Sequence, residues 1–153
     1  MSEIENIISR LENFPAKLKE VVENLSDDQL QSKVVNWTVV QNVHHICDSH
    51  LNSYTRIKLA LTENNPTIKP YNESAWATLP DYSSDITTSL AILEGIHKRI
   101  CIVLRSLSAS NLQKTFVHPE LSNPQIILAQ YIENFANHGE GHLQNILSSL
   151  EKK

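Results

Sequence analysis

Apolar residues recur along the chain at intervals of three and four positions, in four stretches that polar segments separate. The stretches cover approximately residues 3–25, 38–61, 85–107 and 124–150. This spacing gathers apolar side chains on one face of a helix, so it predicts four amphipathic helices that bury that face. Only three glycines occur in the chain. The pattern therefore predicts an all-α protein.

Local signals predict where these helices begin and bend. Two pairs have the spacing of a capping box, in which each residue's side chain bonds the other's backbone: Ser26 with Gln29 and Thr38 with Gln41. Ser84 or Asp85 could cap the third helix. Pro124 suits the first turn of the fourth helix, and Pro15 predicts a kink or a restart in the first.

The segment 62–84 is long for a connection in a compact domain. It contains Pro66, Pro70 and Pro80, which oppose regular helix, together with Tyr71, Trp76 and Tyr82. A connection of this length is more often a functional lid or a packed crossover than slack chain. The sequence thus predicts a four-helix bundle with long crossover connections, as a single domain over residues 1–153.

Composition narrows the classes of function. A formal net charge of −4, with no basic cluster, argues against nucleic acid as a partner. No apolar run is long enough to span a membrane, and the N-terminus lacks the pattern of a targeting signal, so a cytoplasmic location is expected. Cys47 and Cys101 lie far apart with no CxxC pattern, and we expect both to be reduced, apolar side chains.

His138 and His142 are the first candidates for chemistry. They are one turn apart in the last predicted helix, a spacing that lets two imidazoles bind one metal ion. The same pair could instead be core histidines satisfied by hydrogen bonds. Gly139 and Gly141, which flank Glu140, weaken a helix interior and favour a close approach of another helix or a ligand.

A second histidine cluster, His44, His45 and His50, lies in the helix that begins near Thr38. Helical periodicity makes His50 the most core-facing of the three. It sets His45 on the opposite, polar side of the helix. Periodicity alone therefore favours His50 over His45 as a buried ligand.

Several runs resemble the YfiT-like branch of the DinB superfamily. They are the segment 37–63, Pro66 to Tyr71, Ala75-Trp76, Pro15 to Leu18, and Phe116 to Glu120. The resemblance spans nearly the whole chain. It implies a helical bundle that holds one divalent metal ion through three histidines, which correspond here to His45, His138 and His142. We follow the resemblance over periodicity for His45.

Three neutral imidazoles leave a metal ion an open position, as in catalytic sites. The ion could activate water for hydrolysis, or bind a thiol for transfer, as the resemblance to bacillithiol S-transferases implies. Asp48 is the candidate to orient an imidazole or accept a proton, whereas Glu140 points away from the metal side. A non-catalytic metal-binding stress protein and a metal-free bundle stay as alternatives.

The sequence does not select the metal. Zinc suits three imidazoles best, and nickel, iron and manganese stay open. The expected partner is a small-molecule substrate, with a low-molecular-weight thiol as one candidate. The sequence leaves a homodimer open.

Overall fold

The computed structural model describes residues 2–151, and four long helices dominate it. They are α1 (Glu3–Val22), α3 (Val39–Thr62), α5 (Thr87–Arg105) and α7 (Leu128–Leu150). Helices α1 and α3 each pack against both α5 and α7. The helices therefore follow one another around the bundle in the order α1, α5, α3, α7. The predicted four-helix bundle is confirmed.

This order places two pairs of helices across diagonals of the bundle, α1 opposite α3 and α5 opposite α7. A short loop joins neighbouring antiparallel helices, whereas a diagonal partner requires a longer connection. The connections contain short elements: α2 (Asp27–Leu30), β1 (Lys33–Val34), β2 (Trp37–Thr38), α4 (Glu73–Trp76), a 3-10 turn (Pro80–Ser83), α6 (Ala109–Leu112), β3 (Thr115–Val117) and β4 (Gln125–Ile127). Strands β1 with β2, and β3 with β4, form two antiparallel pairs.

Both predicted capping boxes are present. The hydroxyl of Ser26 accepts the backbone N–H of Gln29 at the start of α2, and Thr38 does the same for Gln41 at the start of α3. The start of α5 differs slightly from the predicted cap at Ser84 or Asp85, because its N-cap residue is Ile86. The Asp85 carboxylate still accepts the backbone N–H of Thr87 at 2.7 Å.

The predictions about proline were wrong in part. Helix α1 runs without interruption through Pro15, so no restart occurs there, and it ends at Val22, three residues earlier than predicted. Pro124 does not lie in the first turn of α7, because strand β4 follows it and the helix begins only at Leu128. The β-branched residues before α7 pair instead with β3, with Phe116 opposite Ile126.

The interior consists of two apolar clusters, one toward each end of the bundle. Leu11, Ile100 and Ile132 belong to one, and Leu18 and Ile46 belong to the other. Cys47 and Cys101 are buried and free, as predicted. Among residues 2–151 no helix combines the length and the apolar character needed to cross a bilayer. Between the two clusters lies a band of polar side chains that contains most of the histidines.

Candidate metal centre

His45, His138 and His142 converge, although 93 positions separate the first from the second along the chain. One ring nitrogen from each lies within 4.8 Å of the other two. The ring centroids are 5.4 Å apart for His45 and His138, 4.8 Å for His45 and His142, and 4.6 Å for His138 and His142. The structure thus brings together the three residues that the resemblance selected.

Neighbouring helices produce this convergence. His45 lies in the second turn of α3, and α7 packs alongside. His138 and His142, four positions apart on α7, present their rings on the same side of that helix. The indole of Trp37, from strand β2, contacts the ring of His45 with centroids 4.5 Å apart. Strand, helix and partner helix together fix the position of His45.

Hydrogen bonds orient two of the rings. His142 Nδ1 lies 2.9 Å from the amide oxygen of Asn42, which can only accept, so Nδ1 carries the hydrogen. The Nε2 of His142 therefore keeps its lone pair. His138 Nδ1 lies 3.4 Å from the Ser49 hydroxyl. Such bonds to the far nitrogen orient histidines that ligate metals.

Burial keeps the three imidazoles neutral. It lowers the pKa of His45 to about 3 and that of His138 to about 4, with a contribution from neighbouring histidines, and it also lowers the pKa of His142. Near pH 7 all three rings carry lone pairs and no charge. A neutral imidazole is the form that binds a metal ion.

The donor set fits a divalent ion. His45 is 1% exposed. Its Nδ1 is buried and has no hydrogen-bond partner among the described residues. Buried polar atoms in native proteins are nearly always paired, so an unpartnered nitrogen on a ring of this cluster suits a ligand from outside the chain. Three imidazoles from two helices match the ligand number of catalytic zinc sites.

Asp48 lies three positions after His45 on α3. Its carboxylate accepts a hydrogen bond from the Tyr82 hydroxyl at 2.7 Å. Burial raises the pKa of Asp48, and the bond from Tyr82 opposes that rise. Asp48 does not belong to the cluster of mutually close ligand atoms found in residues 2–151. Its predicted catalytic role stays a prediction.

The helical-wheel prediction for His45 was wrong, because both His45 and His50 are 1% exposed. A wheel assumes one apolar face that is buried and one polar face in solvent. Helix α3 instead packs on two neighbours. His50 points toward α5, and the polar side that carries Asn42, His45 and Ser49 points toward α7.

Next to the three-histidine cluster, on the side of His138, lies a further histidine pair to which the sequence assigned no role. His50 Nδ1 is 2.8 Å from His97 Nε2, and His97 Nδ1 is 2.6 Å from the Leu11 carbonyl oxygen. In the sequence, the core-facing position of His50 indicated that its side chain is buried. For His97 the only such indication was its place in the apolar stripe of α5. His44, the remaining histidine of α3, bonds Ser89 and the Ser84 carbonyl, which is a structural role.

The two glycines around Glu140 differ in their surroundings. A Cβ on Gly139 would lie 2.8 Å from His50 Cε1 and 2.9 Å from Phe14 Cζ, which confirms the predicted close approach. A Cβ on Gly141 would meet nothing within 4 Å, so no other helix approaches closely there. Glu140 points away from the cluster and forms an ion pair with Arg10, as expected.

The connection between α3 and α5 covers this part of the bundle. The rings of Tyr71 and Trp76 contact each other in a tilted arrangement, with centroids 4.4 Å apart. The ring of Tyr82 contacts His44, with centroids 5.6 Å apart. This segment is a packed crossover whose aromatic residues adjoin the polar band.

Known proteins share both the sequence and the fold. The profile of the DinB superfamily matches residues 10–146. A protein of Oceanobacillus iheyensis named "putative metal-dependent hydrolase" is 44% identical over 158 residues, covering 99% of this chain and 91% of its own length. A Bacillus cereus protein of the same name is 46% identical over 152 residues, covering 98% of this chain and 86% of its own length.

A solved structure agrees. YfiT from Bacillus subtilis, described as "a probable metal-dependent hydrolase with an unusual four-helix bundle topology", superposes with a TM-score of 0.94 at 38% identity. The match covers 99% of this chain and 89% of that chain. With a profile match over residues 10–146 and relatives that align with nearly the whole sequence, this chain belongs to the DinB superfamily.

Proposed function

We propose that this protein is a hydrolase that depends on one divalent metal ion held by His45, His138 and His142. The observation that carries the proposal is the convergence of three neutral imidazole nitrogens within 4.8 Å of one another. The names of the relatives from Oceanobacillus iheyensis and Bacillus cereus support it. Zinc is the first candidate, because it accepts a set of three imidazoles and an open position.

The metal ion would supply Lewis-acid chemistry that activates water at neutral pH. The residues of the chain hold and orient the site. Asn42 fixes the tautomer of His142 by accepting its Nδ1 hydrogen. The indole of Trp37 packs against the ring of His45, which is 1% exposed.

Asp48 is the residue we assign to proton transfer. Hydrolysis adds the oxygen of water to the electrophilic atom of the substrate, breaks the bond to the leaving group and returns a proton to that group. A carboxylate one helical turn from His45 can accept the proton from water and then deliver it. Burial raises the pKa of Asp48, which improves it as a base, and Tyr82 fixes its orientation.

The first experiment measures metal content. Freshly purified protein should contain one divalent ion per chain, by elemental analysis that covers zinc, nickel, iron and manganese. His142→Ala should lose it. His118→Ala is the matched control, since it removes a half-buried histidine outside the cluster and should retain the metal. Equal metal content in the wild type and His142→Ala would contradict the proposed site.

The second experiment tests the reaction. We expect hydrolysis of p-nitrophenyl acetate that chelation abolishes and the identified metal restores, with product release unaffected by added thiol. Turnover that requires cysteine or another small thiol, with transfer of the acyl group to sulfur, would contradict hydrolysis and identify a thiol transferase. Stoichiometric metal without turnover of any ester would favour the non-catalytic metal-binding protein.

A further inference from the structure

A polar cleft lies in a different part of the molecule from the three-histidine cluster. Its volume is about 370 Å³, and three segments form it: the middle of α3, the start of the crossover and the loop after β3. The lining residues are Arg56, the segment 70–74, His118 and Glu120. Nothing in the proposed hydrolysis so far uses these side chains.

Three groups in this cleft lack the partners that their chemistry requires. Within residues 2–151 the guanidinium of Arg56 forms no ion pair, and its hydrogen bond is to the Tyr131 hydroxyl at 3.4 Å. The hydroxyl of Tyr71 and the Nδ1 of His118 are both buried, and neither has a partner among the described residues. Buried polar atoms in native proteins are nearly always hydrogen-bonded, so the two orphan atoms beside a half-buried cation indicate a missing ligand.

The three groups share one property, because each can donate a hydrogen bond, and Arg56 lies close enough to Tyr71 and His118 to act on the pKa of both. The guanidinium is a permanent planar cation. Burial raises the pKa of Tyr71, so its hydroxyl keeps its proton, and burial together with Arg56 lowers the pKa of His118, so the ring is neutral and can present Nδ1–H. A cation flanked by two neutral donors matches an oxyanion, either a carboxylate or a phosphate.

A series of polar contacts between α3 and α7 connects this cleft to the three-histidine cluster. Ser49 contacts His138, and one turn further along α3 the Ser53 hydroxyl lies 3.0 Å from that of Tyr131. Tyr131 in turn contacts Arg56. Eleven positions separate Arg56 from His45 on α3, which corresponds to roughly 16 Å between their Cα atoms. A small molecule can span this distance.

We propose that Arg56, Tyr71 and His118 bind an acidic group of the substrate while the bond to be cleaved lies at the histidine cluster. This assignment rests on the proposed function and adds the substrate class: small molecules with a carboxylate or phosphate remote from the scissile bond. A free anion in the cleft would have the same chemistry, so the experiments distinguish it from an acidic group on the substrate.

Glu73 and Glu120 line the same cleft and limit the charge that it accepts. Burial raises the pKa of Glu73, and Arg56 opposes that rise. A carboxylate close to Arg56 repels a bound anion, so the proposal predicts opposite effects for the two charges. Arg56→Gln should weaken anion binding about tenfold, and Glu73→Gln should strengthen it. If Arg56 and Glu73 only stabilise the crossover, neither substitution changes anion binding.

Binding can be measured without the metal. In chelator-treated protein labelled with ¹⁵N arginine and histidine, titration with sulfate should shift the side-chain resonances of Arg56 and His118. Arg56→Gln should raise the sulfate concentration at half-saturation about tenfold, and Glu73→Gln should lower it. An unchanged half-saturation in Arg56→Gln, or no shift in the wild type, would overturn the assignment.

Kinetics link the cleft to catalysis. With metal-loaded protein, Arg56→Gln should raise KM about tenfold for mono-p-nitrophenyl suberate, whose carboxylate is remote from the ester, and change KM far less for neutral p-nitrophenyl acetate, which has no acidic group. Free sulfate should compete with the suberate ester and not with the acetate. Equal losses on both esters, or activation of acetate hydrolysis by sulfate, would overturn the substrate assignment. Failure of the proposed hydrolysis differs from this, because neither ester would be cleaved while the NMR shifts remained.

Discussion

His97 donates its Nδ1 hydrogen to the backbone carbonyl of Leu11, 2.6 Å away. In a regular helix that carbonyl would accept the N–H of the residue four positions later. That residue is Pro15, which has no N–H. The proline therefore leaves an acceptor free inside α1, and a histidine of α5 uses it.

This bond fixes the tautomers of a chain that crosses the bundle. Because Nδ1 of His97 carries the hydrogen, its Nε2 accepts from Nδ1 of His50. The Nε2 of His50 then carries no hydrogen. It is buried, and its lone pair has no partner among the described residues. Its ring lies against Gly139 of α7. This chain of contacts therefore joins all four long helices, through Leu11, His97, His50 and Gly139, and it ends next to His138.

Gly139→Ala tests whether this contact fixes α7. The added methyl would lie within 3.0 Å of both His50 and Phe14, whose rings are buried and cannot move aside freely. We expect a loss of about 1–3 kcal/mol in the free energy of unfolding, measured by urea denaturation, since overpacked cores are destabilised by this amount. Metal affinity should fall as well, because His138 precedes this position.

Gly141→Ala is the matched control, in the same helix and two positions away. A Cβ there meets nothing, and the residue is exposed. Alanine should raise the free energy of unfolding by up to about 1 kcal/mol through its better helix propensity. Two substitutions of the same kind should thus have opposite signs. Equal effects would contradict the packing argument.

Asn42→Ala tests the orientation of His142. The substitution removes the amide oxygen that accepts the His142 Nδ1 hydrogen at 2.9 Å. We expect metal affinity, measured by competition with a chromophoric chelator, to fall about 10- to 100-fold, as for other residues that orient metal ligands. The ring would then be free to change tautomer.

Asn52→Ala is the control for Asn42→Ala. Each asparagine donates its side-chain N–H to the carbonyl four residues earlier on α3, at 2.9 Å in both cases. Only Asn42 also contacts a histidine of the cluster. Asn52→Ala should therefore leave metal affinity unchanged. A comparable loss in both variants would mean that the helix bond, not the contact with His142, is responsible.

Local patterns predicted the parts of the fold that depend on local interactions. Periodicity located the four long helices, and the capping boxes at Ser26 and Thr38 marked two starts correctly. The hairpin of β3 and β4 escaped prediction, because each strand has three residues and exists only through its partner about ten positions away. The continuity of α1 through Pro15 depends on a distant contact, because the acceptor that the proline frees finds its donor on another helix.

The site shows the same division. The spacing of His138 and His142 on one helix is a local signal. The position of His45 is not, because a helical wheel cannot represent a helix packed on two sides, and only the family resemblance selected it. The cleft at Arg56, Tyr71 and His118 had no signal in the sequence, because its three groups come from segments that meet only in the folded chain.

Acid should destabilise the metal-free protein through His97. Burial lowers its pKa to about 4, compared with 6.5 for an ordinary histidine. Below pH 6.5 the unfolded chain binds a proton that the folded chain excludes, so the free energy of unfolding falls as pH falls, by about 1 kcal/mol per pH unit until pH 4. Above pH 6.5 this group makes no pH-dependent contribution.

The substitution His97→Gln measures how much of the acid-induced loss of stability comes from His97. Glutamine keeps a side-chain N–H that could donate to Leu11 but does not titrate. Urea denaturation at pH 7, 6 and 5, in the presence of a chelator, should give a shallower fall with decreasing pH than in the wild type. Parallel curves for the two proteins would show that other groups cause the acid sensitivity.

The bond between Tyr82 and Asp48 leads to the last prediction. Asp48→Asn should lower kcat for p-nitrophenyl acetate about 100-fold, the usual contribution of a positioned base, and leave metal content unchanged. Tyr82→Phe should act through Asp48. It removes the hydrogen bond that lowers the pKa of that carboxyl, so the pKa should rise. A base is active when deprotonated, and the acid limb of the pH profile of kcat/KM should therefore move to higher pH.

Tyr54→Phe provides the comparison for Tyr82→Phe. The Tyr54 hydroxyl accepts a hydrogen bond from Lys58 on the same helix at 3.3 Å and has no contact with Asp48. Its removal should leave the acid limb in place. If Tyr82→Phe also leaves the limb in place while Asp48→Asn lowers kcat, Asp48 acts by orienting the site and not as the base. If Asp48→Asn retains full kcat, the proton must leave the attacking water by another route.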